Sequence, residues 1–255
     1  TLFRSLRTES VRDQVSDEEW AVRVDLAALY RVVAHFGWDD LIFTHHSARV
    51  PGSDDHFLIN PFGLMFNEIT ASSLLKVDVD GNVVMESEYP YLDAGFDIHS
   101  AVHMARRDLA CVMHTHTVAG MAVAAQADGL LSINQKSMPF HNRIGYHDYE
   151  GIAGNLDERQ RIAANMGTFK AVILRNHGLL AAGSTVGEAF MIMRTLEEAC
   201  KAQIAAQAGG GKLAFPTEEV CEHTALQFEK FMPIGGTAWT ALRRMLDKQG
   251  SSYAE

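Results

Sequence analysis

Ala110-Cys111-Val112-Met113-His114-Thr115-His116-Thr117 is an apolar run that turns polar at its end, and it is bounded by a threonine suited to capping a helix. We read it as a buried strand followed by a helix of small residues over Ala119 to Ala127. A second apolar run, Ala171 to Arg175, stops at Asn176-His177-Gly178, and Leu179 to Ala182 continues it or pairs with it. Buried strands interspersed with helices predict an α/β protein, and a central, largely antiparallel sheet is the simplest way to arrange them.

Upstream, Ser16 and Glu19 have capping-box spacing, and Val22, Leu26, Leu29, Val33 and Phe36 then recur with helical period as far as Gly37. Leu41 to Val50 and His56 to Asn60 read as strands around the turn Pro51-Gly52-Ser53-Asp54. Leu74 to Val79 and Val83 to Met85 flank Asp80-Gly81-Asn82, a hairpin pattern, and Asp97 is positioned to cap a helix running to Arg107. Downstream, a short helix is expected over Asp157 to Met166. Thr185 and Glu188 form a second capping box, opening a long helix in which Ala189, Met193, Leu196 and Cys200 share a face. Gly209-Gly210-Gly211-Lys212 ends that helix and lacks the spacing and hydroxyl of a phosphate loop. Helices are expected around Glu218 to Phe231 and Ala238 to Asp247. With no internal repeat, the expectation is one domain over residues 1–255 with a helical tail from about 212.

The 255 residues are 47% hydrophobic and 21% charged, enough to build a substantial core. Lys and Arg number 22 against 32 Asp and Glu, a net charge of -10 that argues against nucleic acid or a basic membrane anchor as partner. Cys111, Cys200 and Cys221 never form a C-x-x-C pair, so neither a disulfide framework nor a cysteine zinc site is expected. The opening Thr1 to Glu19 is charged, and no stretch reaches the roughly 18 apolar residues of a membrane span. The expectation is a soluble cytoplasmic protein.

Histidine, at 12 residues, is the unusual component. Alternate residues of a strand share a face, so His114 and His116 can place two imidazoles around one metal ion, and His177 at the end of the next apolar strand can supply a third. Three histidines leave coordination positions open, as catalytic sites require. The alternative is a pair of half-buried histidines satisfied by backbone groups. His99 and His103 stand four apart on a predicted helix, without the glutamate of an H-E-x-x-H motif, and a packing or capping role suits them better. His45 and His46 point to opposite faces of a strand, so at most one can join a site. His141, Tyr146, His147, Asp148, Tyr149 and Glu150 make a dense polar stretch, either a catalytic loop or a hydrogen-bonded surface one.

Assembled, these residues resemble the class II aldolase/adducin family, and more closely its adducin-like branch, from about Asp25 to Gln203. The matching stretches are Leu29-Tyr30-Arg31, Thr44-His45-His46-Ser47-Ala48-Arg49-Val50, Asn60-Pro61-Phe62-Gly63-Leu64, Glu68-Ile69-Thr70-Ala71-Ser72-Ser73-Leu74, Ala94-Gly95-Phe96, His114-Thr115-His116-Thr117, Tyr146-His147-Asp148-Tyr149-Glu150-Gly151 and Arg175-Asn176-His177-Gly178. The resemblance implies a three-layer α/β/α fold around a mostly antiparallel sheet, commonly a homotetramer with sites at subunit boundaries. It implies that His114, His116 and His177 bind a divalent metal, zinc first with manganese or iron as alternatives. Family enzymes carry out aldol cleavage, epimerisation, dehydration or decarboxylation through an enolate stabilised by the metal.

Two departures bear on the activity. Gly95 stands where sugar-phosphate aldolases carry an acid/base glutamate, and Thr44-His45-His46-Ser47 replaces their Gly-Asn-x-Ser phosphate loop. Adducin heads, which are cytoskeletal rather than catalytic, resemble this chain at the same places. The chain ends soon after the head-like region, without a basic tail, which favours an enzyme over a scaffold module. Proton transfer is then expected from His141, Tyr146, His147 or Glu150, and carboxylate binding from His46 and Arg49. The expected function is a metal-dependent carbon–carbon lyase acting on a small hydroxy or keto acid. Phe228, Phe231, Met232, Ile234, Trp239, Leu242 and Met245 in the tail need cover, from a second subunit or from their own domain.

Overall fold

A computed structural model describes residues 10–87, 89–91, 93–151, 156–231 and 235–255. A short helix α1 (Val11–Gln14) leads into α2 (Asp17–His35), which starts where the Ser16 hydroxyl accepts the Glu19 backbone N–H at 3.2 Å. The return half of the expected capping box is not made. Glu19 instead turns its carboxylate inward to Arg23 (3.1 Å) and Lys76 (2.7 Å), because the guanidinium of Arg23 is wholly buried and must be neutralised.

The chain then runs β1 (His45–Arg49), β2 (His56–Ile59), β3 (Leu75–Asp78), α3 (Asp93–Ala105), β4 (Cys111–Thr115), α4 (Val118–Ala124), a 3-10 turn (Met138–Phe140), β5 (Gly145–His147) and α5 (Leu156–Met166). It finishes with β6 (Ala171–Leu174), β7 (Gly178–Gly183), α6 (Val186–Ala208), α7 (Glu218–Phe231) and α8 (Gly235–Lys248). Among the described residues the strands form one sheet in the order β3-β2-β1-β4-β7-β6-β5, antiparallel throughout except for the edge pair β5–β6.

Both faces are covered, which is why the central strands read as continuous apolar runs rather than alternating ones. On one side Met113, Ile173 and Ala181 pack with Leu26 and Leu29 of α2 and with Met193 and Leu196 of α6. On the other, Val112, Val172 and Leu180 meet Ile98 and Val102 of α3 and Ile162 and Met166 of α5. The result is a three-layer α/β/α fold. The layers come very close at Gly183, where a Cβ would lie 2.5 Å from the backbone nitrogen of Ala189.

Several element limits differ from the sequence expectation. Leu41 and Thr44 have positive φ (53° and 62°), so 41–44 is a turn and β1 starts only at His45. The hairpin at Asp80-Gly81-Asn82 turns as expected, with Gly81 at φ 95°, but its return arm is reduced to a bridge between Val77 and Val83. Helix α3 begins at Asp93, so Asp97 lies inside it and pairs with Arg159 (2.5 Å) instead of capping. Thr117 caps α4 through the Gly120 N–H (3.3 Å), and Thr185 caps α6 through the Glu188 N–H (3.1 Å). In the tail, Trp239 is buried where Gly187 leaves room for it, and Leu242 and Met245 pack on the same core, so α8 is covered by its own chain. Phe228 on α7 is half-buried; Met232, Ile234 and the Phe231 side chain lie outside the described residues. No helix among the described residues is long and apolar enough to cross a membrane.

Candidate metal centre

Strand β4 projects Val112 and His114 toward α3 and α5, and His116, one residue past the strand, keeps the same parity. The turn from β6 to β7 brings His177 to them, with Asn176 at φ 56° in a conformation that asparagine tolerates better than most residues. Gly178 follows because a Cβ there would sit 2.4 Å from the Thr115 carbonyl oxygen and 3.4 Å from the His114 ring. His116 Nε2 lies 2.8 Å from His114 Nε2 and 2.9 Å from His177 Nε2, and the three candidate ligand atoms fall within 4.8 Å of one another.

The outer nitrogens are tied back. His114 Nδ1–H donates to the Leu179 carbonyl and His116 Nδ1–H to Asp40 Oδ2, each at 3.0 Å. Both acceptors lack a proton to give, so each ring carries its hydrogen on Nδ1 and turns a lone pair inward from Nε2. Burial, then the neighbouring histidines, push His114 well below the usual imidazole range, and burial chiefly lowers His177 to about 4. His114 and His177 are therefore neutral at neutral pH. Converging neutral lone pairs repel one another unless a shared proton or a cation lies between them, and this donor set fits a divalent transition metal.

A second group of imidazoles adjoins the first. His45 faces His114 directly across β1 and β4, with ring centroids 5.0 Å apart. Its Nδ1 is 2.8 Å from His99 Nε2; His99 Nδ1 contacts Ser47 Oγ, which lies 2.8 Å from His103 Nε2. Burial lowers all three histidines, His103 to about 3.

The remaining residues singled out from sequence are dispersed. His46 points to the opposite face of β1, fully buried against Tyr30 and Phe66, and this corrects its expected place at the site: strand parity gave the two faces, and the pairing of His45 with His114 decides between them. Arg49, at the far end of β1, donates to the carbonyls of Asp54 (2.6 Å) and His103 (2.5 Å). His141 is held between Ser132 and Glu218 at 2.8 and 2.9 Å, and the Tyr146 hydroxyl accepts the Leu130 N–H at 3.0 Å under a covering Arg175. His147 and Glu150 do lie in a hollow that reaches His177 and also includes Tyr149, whose ring is 6.5 Å from that of His177. His147 is nonetheless bracketed by Asn165 (2.8 Å) and Glu158 (3.4 Å), and Glu150 is paired with Arg161 (2.5 Å). Sequence reasoning missed Asp40 and the His45–His99–Ser47–His103 chain. The i, i+4 spacing of His99 and His103 was the available clue to the chain; Asp40 carries none.

The model of the class II aldolase and adducin N-terminal domain matches residues 24–204. An aldolase II superfamily protein from Pseudomonas syringae is 51% identical, covers 97% of this chain and all of its own, and superposes with a TM-score of 0.92. The L-fuculose 1-phosphate aldolase of Glaciozyma antarctica is 29% identical with 93% of each chain covered and a TM-score of 0.82. Rat alpha-adducin is 43% identical over 196 residues, 76% of this chain but 26% of the adducin. Taken with the layered fold and the three converging imidazoles, the match over 24–204 makes this chain a member of the class II aldolase/adducin family.

Proposed function

We propose that the protein is a divalent-metal-dependent carbon–carbon lyase of the aldolase type, with zinc at His114, His116 and His177 and a small hydroxy or keto acid as substrate. The observation that carries this reading is the ligand geometry: three Nε2 lone pairs within 4.8 Å, two of them fixed from behind by Leu179 and Asp40. A zinc ion held there would polarise a substrate carbonyl and stabilise the charge left when the carbon–carbon bond breaks. The chain's own part is to keep His114 and His177 neutral by burial and to hold Asp40 against His116. In the hollow beside His177, we assign His147 and Glu150 to proton transfer. We further propose a cytoplasmic homotetramer, with the exposed Val220 and Leu226 of α7 available for subunit contact.

Elemental analysis of the purified protein should find one zinc per chain, lost in His116→Ala, and hydroxy acids should yield aldehyde or carbon dioxide with the zinc-loaded protein but not with His177→Ala. Equal zinc in wild type and His116→Ala refutes the ligand assignment. The 43% identity with alpha-adducin supports a second reading, a non-catalytic binding module. Zinc without turnover of any hydroxy or keto acid, together with a specific protein partner, would select it.

A further inference from the structure

The chain of four buried side chains behind His114 is not used by a three-histidine ligand set, and its hydrogen-bond directions have consequences. His45 is opposite His114 in register, so both project from the same face, and the rings stack at 5.0 Å. Its Nδ1 is engaged inward by His99, while its Nε2, pointing nearly the other way, has no partner among the described residues, and the residue as a whole retains 6% exposure. The space the ring fills exists because residue 95 is glycine. A Cβ at Gly95 would lie 2.5 Å from His45 Cδ2 and 2.9 Å from Nε2.

Two hydrogen arrangements satisfy the chain. In one, each donor points away from His45, so that His45 shows a lone pair at Nε2 and His103 is left with an N–H at Nδ1. In the other, His103 Nε2–H donates to Ser47 Oγ, the Ser47 hydroxyl donates to His99 Nδ1, and His99 Nε2–H donates to His45 Nδ1. The choice falls at the buried end. His103 Nδ1 is sealed without a partner among the described residues, its ring stacked on Phe57 at 4.7 Å. An orphaned buried N–H is the rarer and costlier defect. The second arrangement is the one selected.

We propose that His45 presents a neutral Nε2–H toward the histidine cluster, as a hydrogen-bond donor to an anionic oxygen of the substrate, in a tautomer set by His99, Ser47 and His103. This rests on the reading above that a small acid binds at His114, His116 and His177. His45 touches the substrate; His99, Ser47 and His103 are positioning residues, and Gly95 provides the room. A donor fixed in advance costs no reorganisation when charge develops on that oxygen.

Nitrogen-15 spectra of protein labelled at histidine test the tautomer directly, with or without zinc. His45, His99 and His103 should all carry hydrogen at Nε2, and Ser47→Ala should split the His45 signals between both tautomers. Hydrogen at His45 Nδ1 in the wild type overturns the proposal. Calorimetry with oxalate on the zinc-loaded protein tests the contact. His45→Leu should bind it about 10- to 100-fold more weakly, the effect of losing a hydrogen bond to a charged group, and His45→Gln, which keeps a donor, should recover most of the affinity. Equal oxalate affinity in wild type and His45→Leu at full zinc content overturns the proposal. A wild type that holds no zinc refutes the metal-lyase reading instead, and the spectra of the metal-free protein still decide the tautomer.

Discussion

Replacing His46 by leucine should stabilise the protein, and by more at pH 5 than at pH 7.5. His46 is 0% exposed, neither ring nitrogen has a hydrogen-bond partner among the described residues, and burial lowers it to about 3. Its surroundings, Tyr30 and Phe66 at ring-centroid distances of 4.8 and 5.3 Å, are suited to an apolar side chain. At neutral pH the variant gains about 1–3 kcal/mol by removing unpaired buried polar atoms, less up to about 1.5 kcal/mol for imperfect repacking. The pH term has a definite sign. The folded value is below the unfolded 6.5, so the unfolded chain takes up a proton first, and stability falls as the pH drops from 6.5 toward 3. That loss is about 1.4 kcal/mol per pH unit, or about 2 kcal/mol between pH 6.5 and 5, and the leucine variant escapes it. Urea unfolding of both proteins at the two pH values, at one protomer concentration, measures the difference while the other titrating groups cancel. A difference that does not grow on acidification, or a leucine variant less stable at pH 7.5, would refute the placement of a neutral, unpaired imidazole in the core. Zinc content should be unchanged, since the side chain is on the other face of β1.

Asp40→Ala should weaken zinc binding about 10- to 100-fold in a chelator competition while leaving the far-ultraviolet circular dichroism unaltered, because it removes only the acceptor that orients His116. Glu19→Ala should cost about 3–5 kcal/mol in urea unfolding, since it strands the fully buried Arg23 without its counter-charge; a loss below 1 kcal/mol, the range of an exposed pair, would show that the guanidinium finds water.

What the sequence discloses depends on how local the cause is. His114 and His116 are legible because strand parity is local, and His177 because it ends the neighbouring apolar run. The choice between His45 and His46 is not, since it turns on which residue of β1 lies opposite His114, a pairing across 69 positions that only the assembled sheet defines. Asp40 reaches His116 from 76 residues away, and no spacing rule covers that. The capping boxes show the same division. Ser16 and Thr185 cap as their neighbours dictate, whereas Glu19 answers to Arg23 and Lys76, and the Glu188 carboxylate to Ser184 and Lys170. In the polar stretch 141–150, composition alone does not separate His141 and Tyr146, which brace neighbouring turns, from His147 and Glu150 at the hollow beside His177.

His116 and His177 are 61 residues apart, and the chain between them includes α4, β5, α5 and β6. A cation held by both closes that span into a ring, as a covalent bridge would. The chain-entropy relation for a loop of this size gives on the order of 4 kcal/mol of constraint on the unfolded ensemble. The same ion that would polarise a substrate would thus act as a clasp on a quarter of the polypeptide, and resistance to proteolysis would then depend on metal supply as much as on sequence.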